Sequence, residues 1–302
     1  MLQFCLMKAN SVILFFIDGL GIGRRDEHNP LANIENIEPL AHFQGESSTI
    51  IFDGVLIPTD ACLGIEGRPQ SASGQTTILT GINAPQHLGY HKQGFPNQAL
   101  RDVIAENSIF LQLENLKITP NVFVNAYTPQ FFAETPRWKS ATTCAVEASQ
   151  TVNFRTLEDL QKDEAIFHDF TNSVLQARDF EVERRSADKA GEILAKLSQN
   201  HRFTLYEYFI TDKIGHDQDF NLAKKVLPEL AQFIRSLLEK VDLTTTTVLL
   251  TSDHGNIEDL SKRNHTLNLV PTIIWGRKNN EITKEIKSLA DITPAIINLL
   301  SK

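Results

Sequence analysis

The sequence predicts an α/β fold: a mostly parallel sheet flanked by helices, with a smaller α+β cap domain inserted. Three observations lead there. Four continuous apolar runs, at residues 12–17, 203–210, 248–251 and 270–275, read as strands buried on both faces, as parallel strands are when helices cover the sheet. Between the runs, apolar residues recur at helical spacing. Acidic, hydroxyl or imidazole residues stand just past the runs, where open α/β sheets bind ligands.

The elements follow in order. Residues 12–17 are too few to span a bilayer. Behind Lys8 they could pass for a signal-peptide core, but Asp18-Gly19 follows in place of a small-residue cleavage site, so the run is read as a buried first strand. Ala187, Ala190, Leu194 and Leu197 share one helical face. Val226, Leu230, Phe233 and Leu237 share another, with Pro228 expected to kink it. Near the C-terminus, Thr293 is expected to cap a helix with Pro294 at its first position and Ala295 to Leu300 running on. The region from about residue 83 to about 183 is rich in Phe, Gln, Asn and Thr, with turn signals at His91-Lys92-Gln93-Gly94 and Thr135-Pro136. It is read as the inserted cap, 85–183, leaving 1–84 and 184–302 as the core. No internal repeat or low-complexity tract interrupts this plan.

Composition narrows the function. The 302 residues, 41% hydrophobic and 22% charged, can fill one large core, with or without an insertion. The net charge is -8 with Lys and Arg scattered, which argues against nucleic-acid and membrane-surface partners. Cys5, Cys62 and Cys144 form no C-x-x-C pair and read as free thiols in a reducing, cytoplasmic setting.

Five motifs carry the chemistry. ILFFIDGLGIG ends a strand in Asp18, which alone reads as a turn former or helix cap. GRPQSASGQTTILTG sets Ser71, Ser73, Thr76 and Thr77 before an apolar pattern, where a helix N-terminus favours negative charge. YFITDKIGHDQD places Asp212 and His216 four apart, on one face of a helix or tight turn. LLTSDHGNIED gives adjacent Asp253 and His254, which a loop can aim at one ion. RNHTLNLVPTIIWG adds His265, which alone reads as a surface or satisfied core histidine. Together they supply three carboxylates, three imidazoles and one hydroxyl, without thiolate. That set suits Zn2+ or Mn2+, and it is about right for two ions. Paired ions ~4 Å apart are a standard device of phosphoryl chemistry.

FFIDGLG, SASGQ, TDKIGH, TSDHGN and HTLNLVP, in this order, resemble the alkaline phosphatase superfamily. Within it the chain is most similar to the branch holding cofactor-independent phosphoglycerate mutase and phosphopentomutase. The resemblance implies an alkaline-phosphatase-like core and two divalent ions, Mn2+ or Zn2+. It assigns Asp212, His216 and His265 to one ion, and Asp18, Asp253, His254 and the Ser71 oxygen to the other. It makes Ser71 the nucleophile and a phosphoserine the intermediate, with Ser73 the fallback. Two departures stand out. The family's His after Gly is Gln75 here, and the insertion is much shorter than in the bacterial phosphoglycerate mutases. Arg101, Arg137, Lys139 and Arg155 are the insertion's available cations for an anionic substrate, though each singly reads as solvated surface charge. The expected substrate is a small phosphorylated metabolite. If the cap holds and reorients the substrate, the outcome is a phosphomutase; if water enters first, a phosphatase. Sulfatase and phosphodiesterase chemistry fit the motifs less well, and a non-catalytic binding module is disfavoured by the complete ligand set.

Overall fold

In a computed structural model, described over residues 10–133, 139–276 and 282–302, the chain forms eight strands. They are β1 (Ser11–Ile17), β2 (Val55–Thr59), β3 (Asn121–Phe123), β4 (Ala126–Tyr127), β5 (Arg155–Thr156), β6 (Phe203–Tyr208), β7 (Thr246–Thr251) and β8 (Val270–Trp275). Helices of seven residues or more among the described residues are α1 (Ser71–Thr80), α2 (Gln98–Asn107), α3 (Ile109–Asn115), α4 (Ala141–Glu147), α5 (Ala187–Ser198), α6 (Ile210–Asp217), α7 (Phe220–Lys240) and α8 (Ile292–Ser301). Cys5, Lys8, Thr135-Pro136 and Arg137 lie outside the described residues. Among the described residues no helix is long and apolar enough to cross a membrane.

Six strands form one sheet in the order β2-β8-β7-β1-β6-β3. β1 runs parallel to both neighbours, Leu14 standing beside Leu205 and Leu249. Its side chains alternate between two cores. Ile13, Phe15 and Ile17 pack with Ile193, Leu194, Leu230 and Phe233 of α5 and α7. Val12, Leu14 and Phe16 pack with Ile78, Phe110, Ala145 and Ile296 of α1, α3, α4 and α8. A strand buried on both faces cannot alternate apolar with polar residues, which is why the run is continuous. Each such side chain contributes roughly 1.5–3 kcal/mol by leaving water.

Three expectations meet a different arrangement. Residues 270–275 do form a strand, but β8 runs antiparallel to β7 and to β2. No crossover helix separates it from β7: the loop at 252–269 turns at the carboxyl end and re-enters the sheet from there, which reverses direction. β6 stops at Tyr208, and Phe209 caps the helix that carries Asp212. Thr293 lies inside α8, whose cap is Asp291; the Thr293 hydroxyl instead donates to Ile78 O at 2.6 Å and tethers α8 to α1. Pro228 sits within one continuous 21-residue helix.

Most of the region expected as a cap packs into the main core. β3 pairs with β6 at the sheet edge. Ile104, Phe110, Phe123, Ala145 and Val146 share a cluster with Leu14 and Phe16. The parallel pair β4 and β5, with residues 157–176, adds a small cluster of its own around Ala126, Leu160, Ala165, Phe167 and Leu175. Composition suggested a separate body, but Ile104 of α2 packs into the common core, and Leu100 packs with Ala72 of α1 and Ala84.

Candidate metal centre

The carboxyl ends of the parallel strands bring the expected residues together. Asp18 follows β1, Asp253 and His254 follow β7, and the helix after β6 presents Asp212 and His216 one turn apart. His265 comes from the loop that leads into β8. Two groups result: Asp18, Asp253 and His254, and Asp212, His216 and His265, with one ligand atom from each residue within 4.8 Å of the others in its group. The groups touch through His254 and His265, whose rings stack at 3.6 Å.

The fold admits this crowding through glycine at two points. Gly19 has φ +76 and a Cβ there would stand 2.8 Å from Asp212 Cα, so the β1 turn and α6 meet only without a side chain. A Cβ on Gly74 would lie 2.8 Å from the Asp253 carbonyl, so α1 presses its first turn onto the β7 loop.

In the first group every member is buried. His254 Nε2 lies 3.2 Å from Asp18 Oδ1 and 3.5 Å from Asp253 Oδ2. Burial, and then the charges of Asp212 and Glu207, push the Asp18 carboxyl well above its usual range. Burial, and then Asp18, do the same to Asp253. Two carboxyls taken from water side by side call for a cation. Asp18 Oδ1 is buried without a hydrogen-bond partner, as a free ligand atom would be. These donors fit a divalent ion.

The second group is more open. His216 Nε2 lies 3.3 Å from Asp212 Oδ2, His265 Nε2 3.4 Å from Asp212 Oδ1, and the two imidazole nitrogens 3.1 Å apart. The opposite ring nitrogens are held by backbone: His216 Nδ1 by Arg263 O at 2.6 Å, His265 Nδ1 by Pro69 O at 2.9 Å. Such outer bonds fix the tautomer that leaves Nε2 free for a metal. Burial pushes the Asp212 carboxyl up, but hydrogen bonds from His216 and His265, the His254 charge and Asn256 outweigh it and hold the carboxyl far below its usual range. The Asp212 hydrogen bond raises His216, whereas burial lowers His265.

Ser71 is the first residue of α1, and its Oγ lies 3.0 Å from His254 Nε2. It is half-buried, so the hydroxyl is reachable. Ser73 is turned away: its Oγ donates to Gln70 O and accepts from Lys92 N. Gln75 Nε2 donates to Asp18 Oδ2 at 3.0 Å and Asp253 Oδ2 at 3.2 Å.

Other residues at the site went unassigned in the sequence. Asn256 Nδ2 donates to Asp212 Oδ1 at 2.7 Å. Glu258 accepts from Gly21 N at 3.0 Å, Asn256 N at 2.7 Å, Asn268 Nδ2 at 3.0 Å and the Thr266 hydroxyl, tying the loop after β1 to both ends of the 252–269 loop that carries His254 and His265. Both belong to the motif that supplies Asp253, which was the available signal. Glu207 is buried in β6, takes a hydrogen bond from Thr142, and is pushed up by burial to about 7. A carboxylate inside an apolar run was its signal. The insertion's cations are engaged locally: Arg101 Nε with Pro96 O, Lys139 with Glu147 and Arg155 with Asp159.

The sequence matches the family model of the metalloenzyme superfamily over residues 10–302. The chain belongs to that superfamily. It is 30% identical over 125 residues to the 2,3-bisphosphoglycerate-independent phosphoglycerate mutase of Ehrlichia canis, a match covering 38% of this chain and 25% of that protein. The Antithamnion sp. enzyme of the same name is 31% identical over 111 residues, covering 34% and 22%. The chain thus spans about a quarter of the length of these relatives. Two solved structures share the fold of this superfamily member. The PH0037 protein from Pyrococcus horikoshii has a TM-score of 0.56 at 13% identity, covering 97% of each chain. A cold-active alkaline phosphatase from Shewanella sp. has a TM-score of 0.51 at 12% identity, covering 97% of this chain and 100% of the other.

Proposed function

We propose that this protein is a metal-dependent phosphoryl-transfer enzyme that acts on a small phosphomonoester through a phosphoserine at Ser71. The observation that carries the reading is the position of Ser71 Oγ: on the first turn of a ten-residue helix, half-buried, and 3.0 Å from His254 in the convergent donor set. Asp18, Asp253 and His254 with Ser71 would hold one divalent ion; Asp212, His216 and His265 would hold the other. The donor set suits Mn2+ or Zn2+. When bound, such ions supply positive charge that lowers the hydroxyl pKa and offsets charge on the phosphoryl oxygens.

The chain's own residues do the rest. Ser71 stands at the N-terminus of α1, where the helix dipole favours negative charge. Ser71 Oγ forms the bond to phosphorus as the bond to the leaving oxygen breaks; the Ser71 proton goes to solvent and the leaving oxygen takes one up from solvent to depart as an alcohol. In the second half-reaction a hydroxyl of the same substrate, or water, takes the phosphoryl group from Ser71. The first outcome makes a phosphomutase, like the relatives by sequence. The second makes a phosphatase, and the small size of the satellite around β4 and β5 favours it, because little chain is free to close over the site and exclude water. Substrate recognition falls to exposed cations beside the ligand residues: Arg68 three residues before Ser71, Lys213 next to Asp212 on α6, and Arg263, whose carbonyl holds His216.

Phosphorus NMR of the Mn2+-loaded protein with a panel of phosphomonoesters, 3-phosphoglycerate and ribose 1-phosphate among them, tests the reading. An isomeric ester without free phosphate means a mutase; inorganic phosphate that disappears in Ser71→Ala means a phosphatase. No turnover of any ester with either Mn2+ or Zn2+ contradicts the proposal.

A further inference from the structure

We infer that Gln75 is the positioning residue of the buried ion site, its one amide nitrogen holding the Asp18 and Asp253 carboxylates so that both face the same ion. The inference rests on the reading that the two groups bind metal. Gln75 stands four residues after Ser71 on α1, one turn along the same face, and is 6% exposed. Its Nε2 lies 3.0 Å from Asp18 Oδ2 and 3.2 Å from Asp253 Oδ2. A primary amide carries two protons on that atom, so one goes to each carboxylate. The reversed amide would set Oε1 against two carboxylates, so the chemistry fixes the orientation.

The geometry explains the ligand atoms. Gln75 occupies Asp18 Oδ2, which leaves Oδ1 as the atom buried without a hydrogen-bond partner, facing His254 Nε2 at 3.2 Å. Two carboxylates this close repel one another and, unheld, would swing apart. A histidine here, the residue the family pattern leads one to expect, has a single N–H when neutral and so holds one carboxylate; it can donate to both only when protonated. It also carries charge when protonated. The glutamine holds both from one atom and stays neutral, so the two carboxylates keep their full charge for a divalent ion.

The test is Mn2+ binding by equilibrium dialysis, with bound metal counted by elemental analysis, on the folded full chain. Wild type should bind two ions. Gln75→Leu, of similar size but without a donor, should weaken one of them by about 10- to 100-fold and leave the other unchanged. In a His216→Ala background, which retains only the buried ion, the same substitution should weaken the single ion left. Gln75→His should bind that ion more tightly than Gln75→Leu does, which a role in packing alone would not produce. If Gln75→Leu fails to fold by circular dichroism, Gln75→Asn, too short to reach both carboxylates, is expected to show the same selective loss. Unchanged affinity for both ions in the folded variant, or equal weakening of both, overturns the inference while leaving the proposed function standing. A wild-type protein that binds no ion removes both.

Discussion

The trio Asp18, Asp253 and His254 and the trio Asp212, His216 and His265 are built from the same kinds of donor, but the fold holds them differently. The first is sealed at the ends of β1 and β7, with Asp253 and His254 fully buried. The second hangs on a helix and a loop, with the His216 side chain 40% exposed. Two carboxylates and one imidazole serve the first; one carboxylate and two imidazoles serve the second. The first trio therefore pays a large desolvation cost unless a cation is present, whereas Asp212 already has imidazole partners. Removal of metal should accordingly disturb the buried trio more than the open one.

The largest effect should come from breaking the buried trio. Asp253→Asn is expected to lose one of two ions and to reduce phosphoryl transfer to background, with the fold intact by circular dichroism. His216→Ala should lose the other ion only. Retention of both ions in Asp253→Asn would sink the comparison.

A second prediction concerns Glu207, which lies in β6 and belongs to neither trio. Its pKa is raised from 4.5 to about 7 by burial, against the Thr142 hydrogen bond. A raised folded pKa contributes stability that is fully present below the unfolded value and is lost as pH rises through about 7. The change is on the order of 3 kcal/mol. In metal-free protein, urea midpoints should fall over that range, and Glu207→Gln should flatten the slope.

Glu258 sharpens the contrast from the other side, because it serves both trios. Glu258→Ala strips four donors in two loops of their acceptor. A loss of roughly 2 kcal/mol in unfolding free energy is expected, with weaker binding of both ions. Asn256 is expected to act on one side only. Its amide reaches Asp212 Oδ1 and not the buried carboxylates. Asn256→Ala should weaken the open site by about tenfold in a Mn2+ titration and leave the buried site alone.

The sequence exposed the site better than the scaffold. Asp18, Asp212, His216, Asp253 and His254 were legible because they follow apolar runs, whereas Ser71 and His265 stand before one and were picked out by their motifs, SASGQ and HTLNLVP. The direction of β8 was not, since an apolar run reads the same in either sense and only the missing crossover helix decides it. The packing of α2, α3 and α4 was hidden by polar composition between their apolar positions, although Leu100 and Ile104 are fully buried. The partners of Gln75 and Glu258 were invisible for another reason: their bonds span up to 237 residues of sequence, and no local spacing encodes them.

The most direct test of the central claim is to quench the Mn2+-loaded protein with acid during turnover of a phosphomonoester and map phosphate by peptide mass spectrometry. The account predicts one phosphorylated residue, Ser71, absent from Ser71→Ala, which should not turn over. Turnover without a phosphoserine at Ser71, or undiminished turnover by Ser71→Ala, would contradict it.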